Sequence, residues 1–137
     1  MRHWDWPADA TVEATQGVAN GMRAQMAAGE AHYWTARNAN GGFVGLFDLD
    51  LSGDGADLGF MLARACWGTG LAFEGASAVI ARTWALGIRR LTARIHVGND
   101  RSARLLARLG FGETHRGLVE IRPGVMRDCV FFTLDRP

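Results

Sequence analysis

The chain contains no lysine, and all fifteen of its basic residues are arginine. Without an ammonium group to help, binding of an anion would rest mostly on main-chain amides, and the Gly-Lys-Ser/Thr ending of a Walker-type loop is excluded. Cysteine is scarce. Cys66 and Cys129 are too few and too widely spaced for a disulfide framework or a zinc site, so a reducing cytoplasm is the simplest compartment. His3, His32 and His115 show no metal-ligand spacing either. No run of eighteen apolar residues is present, and Met1-Arg2-His3-Trp4-Asp5-Trp6 does not read as a signal peptide. The formal net charge is only +1, and basic and aromatic residues are not interleaved, which argues against nucleic acid and anionic membranes as partners. Internal repeats and low-complexity linkers are missing as well.

What is present is an ordinary globular balance: 137 residues, 48% hydrophobic and 21% charged, sufficient for one domain over 1–137 with one sizeable core. Trp4-Asp5-Trp6-Pro7 reads as an irregular lead-in whose tryptophans anchor it or line a cleft. Asp9 or Thr11 then caps a helix to about Ala28, with Val12, Val18, Met22 and Met26 near a helical period. Strands are expected at 31–37, 43–51 and 57–63, separated by the turns Asn38-Ala39-Asn40-Gly41-Gly42 and Ser52-Gly53-Asp54-Gly55. A helix from Gly70 to about Leu86 carries Phe73, Ala76, Val79, Ile80, Thr83 and Trp84 on one stripe. Alternation from Arg90 to Val97 predicts a half-buried strand, and Asn99 or Asp100 caps a short helix through Leu109. Two closing strands, 111–116 and 127–134, flank Pro123-Gly124. The order α-βββ-α-β-α-ββ predicts an α/β (α+β) fold, a mostly antiparallel twisted sheet with a parallel β-α-β unit at its centre.

The richest stretch is Met61-Leu62-Ala63-Arg64-Ala65-Cys66-Trp67-Gly68-Thr69-Gly70-Leu71-Ala72-Phe73-Glu74. A strand runs into a loop with two glycines and then into a helix start, where unpaired amides and the helix dipole favour a phosphate or pyrophosphate. A dinucleotide fingerprint needs a third glycine, and Phe73 stands in its place. Trp67-Gly68-Thr69-Gly70-Leu71-Ala72 instead resembles the acyl-CoA loop of the GNAT N-acetyltransferases, Arg/Gln-x-x-Gly-x-Gly/Ala, with Trp67 where arginine or glutamine is usual. Tryptophan there is a habit of the RimJ/RimL-like branch, whose members modify ribosomal-protein N-termini. A second cluster is similar to the family's Asn-x-x-Ser, short helix and Leu-Gly-Phe: Asn99-Asp100-Arg101-Ser102, then Leu109-Gly110-Phe111. The resemblance covers nearly the whole chain. Family members normally open with a further strand and helix, to which nothing here corresponds; a vacant sheet edge of this kind would invite a homodimer.

The resemblance implies transfer of acetyl from acetyl-CoA directly to a primary amine, a protein N-terminus or a small molecule, with no metal. Met61 and Leu62 would offer main-chain groups to pantetheine where the third strand splays from the Arg90 strand. Gly68, Thr69, Gly70, Leu71 and Ala72 would hold the pyrophosphate. Trp67 would pack on the loop or on the cofactor, and Asn99 would touch the cofactor arm, cap its helix, or both. Ser102 would protonate the departing thiolate, or serve only as a capping contact. Asp57 heads the candidates for the general base, ahead of Glu120 (read as lying in a loop) and His96. Cys66 is not needed as a nucleophile for direct transfer, and Cys129 reads as core. The alternative to an enzyme is a non-catalytic acyl-CoA-binding module built on the same fold.

Overall fold

The computed structural model describes residues 12–137. The lead-in at Trp4–Pro7, the helix cap at Asp9 or Thr11, and His3 lie outside the described residues. From there the order is α1 (Val12–Ala27), β1 (Ala31–Arg37), β2 (Phe43–Ser52), β3 (Gly55–Leu62), a short 3-10 turn (Arg64–Cys66), α2 (Leu71–Ala85), β4 (Arg90–His96), α3 (Asp100–Arg108), β5 (Gly112–Arg122) and β6 (Val125–Asp135). The strands form one sheet in the order β1-β2-β3-β4-β6-β5. All neighbours are antiparallel except β3 and β4, which are joined through α2.

Local chemistry explains the turns. Between β1 and β2 the Asn38 Oδ1 accepts from the amides of Asn40 (3.0 Å) and Gly42 (2.8 Å), a side-chain substitute for a backbone turn. Ser52 and Gly55 pair directly, so β3 begins two residues before the expected Asp57. The last hairpin is also longer than its sequence suggests. Arg122 pairs with Val125 across Pro123-Gly124, and Glu120, expected in a loop, is a β5 residue paired with Met126. Residues 112–116 are all exposed, and 117–122 alternate only between half-buried and exposed positions, a shallow pattern around Val119 and Ile121.

One sheet face holds the core. Phe47 and Leu49 of β2, Leu58 and Phe60 of β3, and Leu91, Ala93 and Ile95 of β4 pack against Ala76 and Val79 of α2 and Leu106 of α3. Each fully buried large side chain among them stabilises the fold by about 1.5–3 kcal/mol. Gly75 of α2 lies directly on the Phe47 ring, where a β-carbon would overlap it, so glycine sets how closely the helix approaches the sheet. The opposite face carries α1, tied on by the Tyr33 hydroxyl, which donates to Gln25 Oε1 (2.6 Å). It also carries Asp48, only 1% exposed, next to Gly59. Because β2 is buried on both faces, its apolar residues do not alternate cleanly.

The feature that positions the site is a split. The pairing of β3 with β4 is confined to Gly55–Arg90, Ala56–Leu91 and Asp57–Thr92. Beyond it β3 continues beside β2 as far as Leu62, and β4 continues beside β6 to His96. The two strands part toward their C-terminal ends, at the mouth of the β3–α2 loop.

Candidate active site

The loop from β3 to α2 is shaped by its backbone. The Arg64–Cys66 turn is closed by hydrogen bonds from Cys66 N to Ala63 O (2.8 Å) and Trp67 N to Arg64 O (3.1 Å). Gly68 and Gly70 then take φ of +75° and +82°, a region that side chains with a β-carbon rarely enter. Thr69 tightens the loop from within: its hydroxyl donates to Cys66 O (2.5 Å) and accepts from the Leu71 amide (3.4 Å). Gly70 is the N-cap of α2, not its first residue, and no side chain caps the helix. The first amides of α2, including those of Ala72 and Phe73, therefore lack intrahelical partners.

Across the split, α3 starts differently. The Asn99 carboxamide accepts the Ser102 amide proton (3.2 Å) and closes the helix end. Ser102 is 7% exposed, and its hydroxyl makes no hydrogen bond to any described residue.

Between these elements lies a cavity of about 550 Å³. Phe60, Met61 and Leu62 line it from β3, and Cys66, Trp67, Gly68 and Gly70 from the loop. Ala72 and Phe73 contribute from α2; Asn99, Arg101, Ser102, Arg104, Leu105 and Arg108 form the α3 wall. Of the residues singled out from sequence, Met61, Leu62, Trp67, Gly68, Gly70, Ala72, Asn99 and Ser102 thus meet around one space. Thr69 and Leu71 belong to the same loop and helix start without lining it.

Asp57 is not brought there. It sits in the last β3–β4 pair, on the face turned away from α2, where the Thr92 hydroxyl donates to its Oδ1 (2.8 Å). Four residues of extended chain separate it from Met61, roughly 13 Å. His96 and Glu120 do not line the cavity either, and Cys129 is wholly buried in the sheet.

Trp67 bridges the two walls. Its indole N–H donates to Leu62 O (3.2 Å), the Arg101 guanidinium lies 4.3 Å from its ring centroid and the Arg64 guanidinium 5.3 Å. Arg108 lies over Phe73 at 4.6 Å. Arginine side chains thus form much of the wall that faces the loop amides. Their signal was in the sequence: positions 101, 104 and 108 fall on one helical face.

A split in a mostly antiparallel sheet, with a glycine loop at its mouth and an Asn-capped serine helix opposite, suits an extended ligand with an anionic end. A family model described as an acetyltransferase (GNAT) domain matches residues 1–112. The chain belongs to the GNAT acetyltransferase family. This GNAT domain also shares its fold with solved structures. A ribosomal-protein-S5-alanine acetyltransferase from Vibrio fischeri superposes with a TM-score of 0.79 at 17% identity, covering 96% of this chain and 81% of that one. Spermidine N-acetyltransferase from Vibrio cholerae, in complex with CoA and spermine, gives 0.81 at 16% identity, with 98% and 81% covered. RimJ from Mycobacterium smegmatis, in complex with CoA-disulfide, gives 0.79 at 24% identity, with 98% and 67% covered. No curated protein matches the sequence. Family and fold together make this GNAT domain an acetyl-CoA-dependent N-acetyltransferase.

Proposed function

We propose that residues 1–137 act as one cytoplasmic acyltransfer domain that moves acetyl from acetyl-CoA directly to a primary amine, either a protein N-terminus or a small polyamine-like molecule. The observation that carries this reading is the meeting of the β3 end, the uncapped start of α2 and the buried Ser102 around one cavity. The amides of Gly68 to Ala72, with Thr69 and Leu71 holding the loop in shape, take the pyrophosphate. Main-chain groups of Met61 and Leu62 pair with pantetheine, and one amide there polarises the thioester carbonyl as the amine attacks it. The carbon–nitrogen bond forms, the carbon–sulfur bond breaks, and the Ser102 hydroxyl gives its proton to the departing thiolate. Asn99 holds the helix start that presents Ser102 and touches the cofactor arm. Trp67 packs along that arm. Asp57, on the far face of β3, serves as the base only through a relay of water.

Mixing the chain with acetyl-CoA and a panel of N-terminal peptides and polyamines, and following free thiol, tests this reading. Because the sequence has no lysine, acetylation of the enzyme's own side-chain amines adds no background. Release of CoA dependent on an acceptor supports the assignment. Binding of acetyl-CoA without turnover by any amine favours the second reading, a non-catalytic acyl-CoA-binding module. One observation speaks for that module: among the described residues no Asp, Glu or His lines the cavity. A homodimer through the β1 edge of the sheet completes the proposal, and a monomeric mass in solution would remove it.

A further inference from the structure

We infer that the arginine face of α3 is a second anion site, reading the 3′-phosphate of the acyl-CoA ribose and so distinguishing CoA from its 3′-dephospho form. This inference rests on the acyl-CoA reading of the cavity. Arg101, Arg104 and Arg108 occupy positions i, i+3 and i+7 of one helix and all line the cavity. With 1.5 Å of rise per residue they spread positive charge along about 10 Å of wall.

Among the described residues the charge on this wall is not neutralised by direct ion pairs. None of the three guanidiniums has a carboxylate partner within ion-pair distance among the described residues, whereas Arg90 is paired with Asp135 and Arg116 with Glu113. Like charges along one face repel, and Arg101 stands in the first turn of α3, where the helix dipole disfavours a cation. A bound anion would relieve that repulsion. The aromatic contacts keep the groups ready for one. Arg101 lies over the Trp67 ring and Arg108 over the Phe73 ring, cation–ring contacts that hold both groups at the cavity wall without neutralising them. Arg104 makes neither a ring contact nor an ion pair among the described residues, although Asp100 stands one turn back on the same helix.

The cavity thus offers two kinds of anion site on facing walls, open amides on the α2 side and guanidinium forks on the α3 side. A ligand with two separate phosphate groups on one sugar matches it. CoA is such a ligand, with a 5′-pyrophosphate and a 3′-phosphate on the same ribose, and 3′-dephospho-CoA lacks the second group.

The test is calorimetric titration of the full chain with CoA and with 3′-dephospho-CoA, repeated on Arg104→Gln and on the Arg104→Gln/Arg108→Gln double variant, with circular dichroism to verify folding. The parent is expected to bind CoA about tenfold or more tightly than the dephospho form, the scale of one charge-assisted hydrogen-bond set. In the double variant the two affinities should converge, with the dephospho-CoA value little changed. Equal binding of the two nucleotides by the parent overturns the inference while leaving the acyl-CoA reading standing. Loss of both affinities by the same factor in the variants also overturns it, because the arginines would then serve the pyrophosphate. If the parent binds neither nucleotide, both readings fall together.

Discussion

The two helices that face the cleft begin in opposite ways. α2 starts at a glycine with positive φ and no side-chain cap, whereas α3 starts at Asn99, whose carboxamide satisfies the Ser102 amide. An uncapped start keeps its donors for a ligand and sacrifices stability. A capped start keeps its donors for the protein and fixes the side chain three residues on. The lesson is that one structural element binds or positions according to the residue just before it.

The largest test of this contrast is Gly70→Val. A β-branched residue forced to φ near +80° costs about 1–2 kcal/mol of stability and turns the first amides of α2 away. Loss of two charge-assisted hydrogen bonds lowers kcat/KM by about 100-fold or more. Steady-state kinetics beside a thermal melt separate the two effects, and a variant that is merely less stable would break the comparison. Next comes Ser102→Ala. If Ser102 is the acid, kcat falls by about 100-fold while acetyl-CoA affinity and melting temperature hold. An unchanged kcat returns the serine to a packing role. Asn99→Ala should then cost about 1 kcal/mol through its lost cap, a fall of roughly 3–6 °C in Tm, with most of it recovered in Asn99→Asp. A smaller loss than that would mean that α3 does not depend on its cap.

The smallest effect lies away from both helices and serves as their control. Arg90 Nε and Nη2 donate to the Asp135 carboxylate (2.6 and 3.1 Å), joining the start of β4 to the end of β6. The hydrogen bond from Arg90 holds the Asp135 pKa below its ordinary 3.8. A depressed folded pKa gives stability that is complete above that ordinary value and disappears as pH falls through the lower, folded one. Asp135→Asn should lower Tm slightly at neutral pH, with a difference that fades in acid and in high salt because the pair is exposed. kcat should not change.

Most of this contrast could be read in the sequence. The punctuation of glycine, asparagine and proline gave the element order, and the two motif clusters located both helix starts. The strand limits of the last hairpin were hidden because β5 beyond Arg116 buries nothing fully: Gly117, Val119 and Ile121 are only half-buried, so their alternation with exposed neighbours is shallow. The distance of Asp57 from the cavity was hidden for a different reason. Position along a strand can be counted, but the distance from its last β4 pair to the cavity depends on where the strands part, and that is a property of the sheet. The arginine wall is hidden for a like reason: positions 101, 104 and 108 share a helical face, but the packing of α3 on the sheet decides that this face turns toward the loop.

The split between β3 and β4 also bears on how long the folded chain survives. Strand edges there face a gap in place of a neighbour, and their amides are the ones expected to exchange with solvent first. On the proposed reading an acyl-CoA lies along the gap and takes the part of an absent strand, binding the native state and not the unfolded one. At a hundredfold excess over Kd such a guest adds about 2.7 kcal/mol to the unfolding free energy. The acyl donor is then a piece of the architecture as well as a reactant, and the enzyme's persistence follows the supply of what it consumes.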